Sequence, residues 1–245
     1  MIGFFRKIRK KMADDNKPMK YMRYAVGEIA LVVIGILIAL QINTWNEGRK
    51  LKHREVKLLL QMKSNLLDDL NKEYPIYVHK MAIKSSKKVL FSLEKCLIAA
   101  DSLDYFFGWV PTYTLHMPNT TAYDNLKTIG FDIISNDSLR ERYQKLHSFN
   151  YKLMNFTHNE ISVKRAGEFF DYYMEHFKDF QWAKQATPVN FESLCNDKKF
   201  IEMIKFNINE KQSRLDMIVD TNKELEQIID LINEEVSRLG GIPQE

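Results

Sequence analysis

Apolar positions first run together along this chain and then separate into helical stripes. From Ile29 to Leu40 twelve residues are apolar without interruption. That is about 18 Å of helix, too short to cross a hydrocarbon layer of ~30 Å. Counting Ala25 to Gly27 ahead of Glu28, and Ile42 behind Gln41, extends the stretch from Tyr24 to Trp45, about 33 Å and long enough. Tyr21, Tyr24 and Trp45 fall where aromatic residues anchor a span at its two interfaces. A buried core helix fits poorly, because the run is apolar all round and directly follows a dense basic tail. A cleaved leader also fits poorly, because Ala39-Leu40-Gln41 lacks the second small residue of a cleavage site. The expectation is an uncleaved anchor: a basic tail at 1–23, a transmembrane helix at 24–45, a helical domain at 46–239 and a short C-terminal tail at 240–245.

Beyond the span the period is helical. Val56, Leu59, Leu66 and Leu70 predict a helix over 46–73, ended by Pro75, and Val89, Leu90, Leu93 and Leu97 predict another over 76–100. Residues 101–119 are irregular but hold Phe106, Phe107, Trp109 and Tyr113, too aromatic for a flexible linker and expected to pack across a bundle. Helix starts recur at Thr121 and at Ser138, where Glu141 completes a capping-box pattern, with Gly130 as a stop between them. Residues 131–134 read equally as an extended segment or a helical turn. From Ser138 a stripe through Leu146, Phe149, Leu153, Phe156, Val163, Phe170, Met174 and Phe177 predicts one long helix to about Phe180. Thr187-Pro188 reads as a helix N-cap followed by proline, and Asp197 as the start of a last helix ending at Leu239 before Gly240-Gly241.

That last helix carries the most regular pattern. Spacings of alternately four and three residues join Ile204, Ile208, Lys211, Leu215, Ile218 and Asn222 onward to Leu239, a heptad seam with Asn222 at an a position, where an asparagine fixes register in paired coiled coils. The seam fits a second copy of the chain, and equally the chain's own helices in an antiparallel bundle. The fold class is therefore all-α: one transmembrane helix followed by an extramembrane bundle with long, coiled-coil-like helices. The scarcity of turn residues agrees, with nine glycines and six prolines in 245 residues.

Charge refines the topology. The net +4 conceals a tail with eight basic and two acidic residues, which leaves 28 basic and 30 acidic residues for the rest. Nucleic-acid binding by the domain is not expected, whereas a basic cluster before an apolar span suits anionic lipid headgroups. Five basic residues follow the span closely, against eight before it, so the N-terminus is expected on the cytoplasmic side and the domain outside. Within the span, Glu28, Gly35 and Ala39 lie seven and eleven residues apart. Gly35 and Ala39 therefore fall within about 20° of Glu28 around the helix, a face that suits close approach of a second transmembrane helix. Glu28 is also near enough to the interface to reach headgroups or Arg23.

The stretch FFRKIRKKM, followed by KYMRYAVGEIALVVIGILIALQINTWNE, resembles a bacterial family of single-pass membrane proteins of unknown function, common in Bacteroidota. The resemblance continues through Thr121 to Lys127 and Ile134 to Arg140. It implies a bacterial inner-membrane setting with a periplasmic domain, and it transfers no site residues.

Motifs for chemistry are thin. The chain has no Gly-rich phosphate loop, no His-Glu-x-x-His, no Cys-x-x-Cys and no Gly-x-Ser-x-Gly. His158 with Glu160, or Asp171 with Glu175 and His176, are ordinary residues for solvated helix faces, so no catalytic, metal or cofactor site is expected. Cys96 and Cys195 either bridge, in an oxidising compartment, or remain buried thiols. The leading expectation is a non-catalytic scaffold that meets the bilayer and either a second copy or another envelope protein. A sensory or ligand-binding module, marked by a pocket with convergent polar groups, is the first alternative. An enzyme of unrecognised type is the second.

Overall fold

A computed structural model describes residues 18–97, 103–115, 117–157 and 162–242. The basic tail up to residue 17 and the pair His158 and Glu160 lie outside these described residues. The chain divides into two compact units, residues 1–54 and residues 55–245. Helix α1, Pro18–Leu70, runs through the boundary between them.

In the first unit α1 contains an 18-residue window of mean hydropathy 2.5, none of it buried. A helix of this length and composition is able to cross a membrane.

The second unit is an all-α assembly with one small hairpin. After α1 come α2 (Glu73–Lys95), α3 (Leu103–Trp109), α4 (Thr121–Ile129) and α5 (Asp137–Lys145). A π-helical turn at Leu146–Asn150, α6 (Tyr151–Met154) and α7 (Ser162–Met174) follow. The chain then forms strands β1 (Phe177–Gln181) and β2 (Gln185–Pro188), helix α8 (Phe191–Asn196) and α9 (Lys198–Arg238).

Helix α9 is the spine of this unit. Its 41 residues make roughly 60 Å of helix, which serves two apolar cores. The N-terminal half places Phe200, Ile204 and Ile208 against Val89 and Leu93 of α2, Phe107 of α3 and Tyr173 of α7. The C-terminal half places Leu225, Ile228, Ile232 and Val236 against Leu59, Met62 and Leu66 of α1 and Leu139 and Tyr143 of α5. Asp197 caps the helix, its carboxylate accepting from the Phe200 amide at 3.0 Å, and Gly240 at φ +82° ends it. Both ends lie where the sequence puts them. Nine of the eleven seam positions are buried, while Asn222 and Leu239 are half-buried. The chain's own helices cover this seam.

Several local expectations need correction. Helix α1 stops at Leu70, and Pro75 lies inside the first turn of α2 rather than between two helices; a proline there loses no intrahelical bond. The cap of α5 is Asn136, whose side chain accepts from the Leu139 amide at 3.1 Å, and not Ser138. Residues Phe131–Ile133 form a 3₁₀ turn. The long helix from 138 to 180 does not exist as one element. The extra residue of the π turn rotates the apolar face, so that His147, Tyr151 and Met154 are buried while Phe149, Leu153 and Phe156 are exposed. Thr187 and Pro188 finish a strand and do not start a helix; in a two-stranded ribbon every strand is an edge, where proline is tolerated.

The aromatic segment after residue 103 packs as expected. Phe107, Trp109 and Val110 are buried. Gly108 is required because a Cβ there would lie 2.7 Å from the Cα of Gln185 on β2. Cys96, which ends α2 with φ +46°, and Cys195 on α8 form a disulfide with Cα atoms 5.5 Å apart.

Candidate functional site

Where the N-terminal half of α9 passes α7 and the chain leaving α3, it leaves a cavity of about 490 Å³. Three features of the sequence create it. Helix α3 ends at Trp109 and Pro111 follows, so the Val110 carbonyl is not consumed by continuing helix. Helix α7 contributes Arg165 and Phe169, one turn apart. Helix α9 contributes Met203 and Phe206 as an apolar wall, and Glu210, Lys211 and Arg214 at the inner end.

The inner end is unusual in charge. Lys211 and Arg214 are only 3% and 6% exposed. The Lys211 ammonium donates to the Val110 carbonyl at 2.6 Å and to the Asn207 side-chain carbonyl. Both acceptors are neutral, and an ammonium has three donors. Burial, and to a lesser degree the Arg214 cation, push Lys211 down to about 7, with Glu210 opposing them. Arg214 is likewise held below its ordinary value by burial, against Glu210 and Tyr113. Glu210 is divided between two arginines: Arg165 donates to it at 2.9 Å and Arg214 at 3.4 Å. The Nε of Arg214 is buried and has no hydrogen-bond partner among the described residues. Two arginines thus share one carboxylate at a cavity with apolar walls, the buried lysine beside them meets only neutral acceptors among the described residues, and a buried donor is left unmet; such groups are costly unless paired.

A second polar cluster surrounds the π turn. Asp69 of α1 accepts from Tyr151 Oη at 2.8 Å and from the Asn119 amide at 2.9 Å. His147 stacks on Tyr123 with ring centroids 4.4 Å apart. Burial pushes His147 down to about 4, so the ring is neutral near neutrality. A third cluster gathers at Ser135, which donates its amide to Glu55 at 2.6 Å and shares its hydroxyl proton between Glu55 at 2.8 Å and Glu235 at 3.1 Å. These two clusters satisfy buried carboxylates and fasten α1, α5 and α9 together.

The residues singled out in the sequence do not converge here. Glu28, Gly35 and Ala39 lie together on α1 in the first unit, and nothing lies within 4 Å of a Cβ built at Gly35. Asn222 lies half-buried on α9 between Ile218 and Leu225. Asp171 and Glu175 are exposed, while His176 turns toward Asp197 at 3.5 Å and so belongs to the cap of α9. Among the described residues no group of three His, Cys, Asp or Glu could hold a metal ion. The cavity itself escaped sequence reasoning, although one mark was visible: a lysine interrupts the seam at 211 with an arginine three residues on.

A family model described as "Family of unknown function (DUF6090)" matches residues 28–194. The match covers α1 from Glu28, the Arg165 and Phe169 side of the cavity, and Cys195's immediate predecessor, and it stops just before α9. No curated protein and no solved structure matches the chain.

Proposed function

This chain belongs to that family of unknown function, and from there we propose that it is a single-pass protein of the bacterial inner membrane whose helical domain binds a small molecule without transforming it. The observation that carries the reading is the cavity of about 490 Å³ with Lys211 and Arg214 buried at its inner end. Its volume falls in the range of small-molecule sites, and apolar walls with a few fixed polar groups are how such sites are made. Binding fits better than catalysis because Glu210, the carboxylate beside Lys211, is engaged by two arginines, and a base so engaged is poorly placed to take a proton. No cofactor or metal enters the proposal.

The membrane helix supports the anchor. Its basic tail lies on anionic headgroups at the cytoplasmic face, and the domain stands in the periplasm. A reporter fused after Glu245 tests this, with activity of a cytoplasm-only reporter counting against it.

For the binding reading, the full chain in phosphatidylcholine nanodiscs is screened by saturation-transfer NMR with small aromatic probes, both acids and neutral amides. Saturable binding is expected, and it should be lost in Phe206→Ala, which removes an exposed wall. Binding by no probe, or binding indifferent to that substitution, overturns the reading.

A scaffold role is the second reading, favoured by the open Gly35 face of α1. There the partner is a second copy or another envelope protein. Crosslinking in membranes should then capture a partner that is lost in Gly35→Leu, and recovery of the uncrosslinked chain alone counts against it.

A further inference from the structure

We propose that the cavity selects an organic monoanion, a carboxylate on an apolar body, whose acid group is held between Lys211 and Arg214 while the body lies along Phe169, Met203 and Phe206. The inference rests on the reading of the cavity as a binding site and adds the class of its ligand.

Charge and geometry both support it. The cavity is lined by Arg165, Lys199, Lys211 and Arg214 against Glu168, Glu202 and Glu210, one positive charge in excess when all are ionised. That excess matches one unit of negative charge and not two. It is also concentrated, because Glu210 already serves Arg165 and Arg214, whereas among the described residues the acceptors of Lys211 are the neutral Val110 and Asn207. The Arg214 Nε is unmet among the described residues. A carboxylate, with about four lone-pair sites, accepts from both cations at once, and it adds a counter-charge beside Lys211, whose acceptors are neutral, and Arg214, which shares Glu210 with Arg165. The two cations are three residues apart on α9 and so share one face.

The rest of the cavity demands an apolar partner. Phe169 and Ile208 belong to the buried core behind it, and the Arg165 guanidinium lies over the Phe206 ring at 5.6 Å, so both members of this pair line the entrance. A small hydrated ion such as inorganic phosphate would leave these walls unfilled.

The test uses the full chain in phosphatidylcholine nanodiscs, titrated with 4-phenylbutyrate, its neutral amide 4-phenylbutyramide, and inorganic phosphate. The acid is expected to bind about tenfold more tightly than the amide, the size of the difference between a charge-assisted hydrogen bond and a neutral one. Lys211→Met and Arg214→Gln should each weaken the acid severalfold more than the amide, so that the preference for the acid collapses. Phe206→Ala should weaken acid and amide alike. Arg165→Gln, at a position half-exposed on the rim, keeps the test decisive should a buried variant fail to fold. It frees Glu210 to compete for Arg214, so acid binding should fall severalfold further than amide binding does. If amide and acid bind equally, the charge assignment falls and the binding reading stands. If phosphate binds and neither organic probe does, the monoanion is the wrong class. If nothing binds, both readings fall together.

Discussion

Lys211 illustrates how a single side chain departs from the pattern around it. The position belongs to a seam whose other members are apolar except for Asn222, yet the ammonium is buried and bonded to neutral oxygens. Its pKa falls from the ordinary 10.5 to about 7, chiefly through burial, so between these two values the unfolded chain holds a proton that the folded chain does not. Stability therefore rises with pH across that window. It is greatest above 10.5, where the group is neutral in both states, and is lost as pH falls through about 7. The ceiling on the slope is about 1.4 kcal/mol per pH unit for one proton. Unfolding free energies from urea titrations between pH 7 and 9 should rise in the wild type by on the order of 2 kcal/mol and stay flat in Lys211→Met. Equal slopes in the two proteins would show that Lys211 is charged throughout. At the residue scale the sequence marks the lysine as an interruption. It does not show that Arg165, 46 positions earlier, faces the same space, because that depends on where α7 packs.

At the scale of elements, periodicity reads correctly wherever one helix buries one constant face. Helix α9 is recovered with its cap at Asp197 and its stop at Gly240, since each end carries its own local chemistry. Between Ser138 and Phe180 the same method fails. A π turn costs no distinctive residue and moves the face by one position, and a hairpin whose register slips between Lys178 and Gln181 shows no clean alternation. The disulfide is a different case, because spacing carries no information on distance, and bridge and free thiols read alike from sequence. In the structure Cys96 and Cys195 tie the end of α2 to α8 across 99 residues of chain. Closing so long a loop removes much freedom from the unfolded state, so Cys96→Ser should lower stability by on the order of 2–5 kcal/mol. Reducing agent should lower the wild type equally and leave the variant unmoved. A wild type indifferent to reductant would mean that the bridge does not form in the cell.

The whole molecule raises the question of what the heptad seam is for. The pattern Ile204 to Leu239 suits pairing with a second copy as well as packing within one chain, and in the structure its apolar members, all but the half-buried Leu239, are buried in two cores made from this chain alone. The compact unit starts at Glu55, and its buried apolar residues extend from Leu58 to Val236. The exposed apolar run from Ile29 to Leu40 belongs to the other unit. A chain shortened to residues 46–245 keeps every core residue and discards that run, so it should be water-soluble, monomeric by sedimentation at tens of micromolar, and cooperative in thermal unfolding. Asn222→Leu in that shortened chain should not change its mass, because a half-buried position between covered neighbours has no coiled-coil register to specify. Dimerisation of the shortened chain, abolished or shifted to a higher assembly by Asn222→Leu, would return the seam to an intermolecular role. Should the shortened chain stay monomeric while the full chain crosslinks in membranes in a Gly35-dependent manner, association belongs to the apolar stretch of α1 and recognition to the cavity. The two activities proposed for this protein would then reside in separate units of one chain.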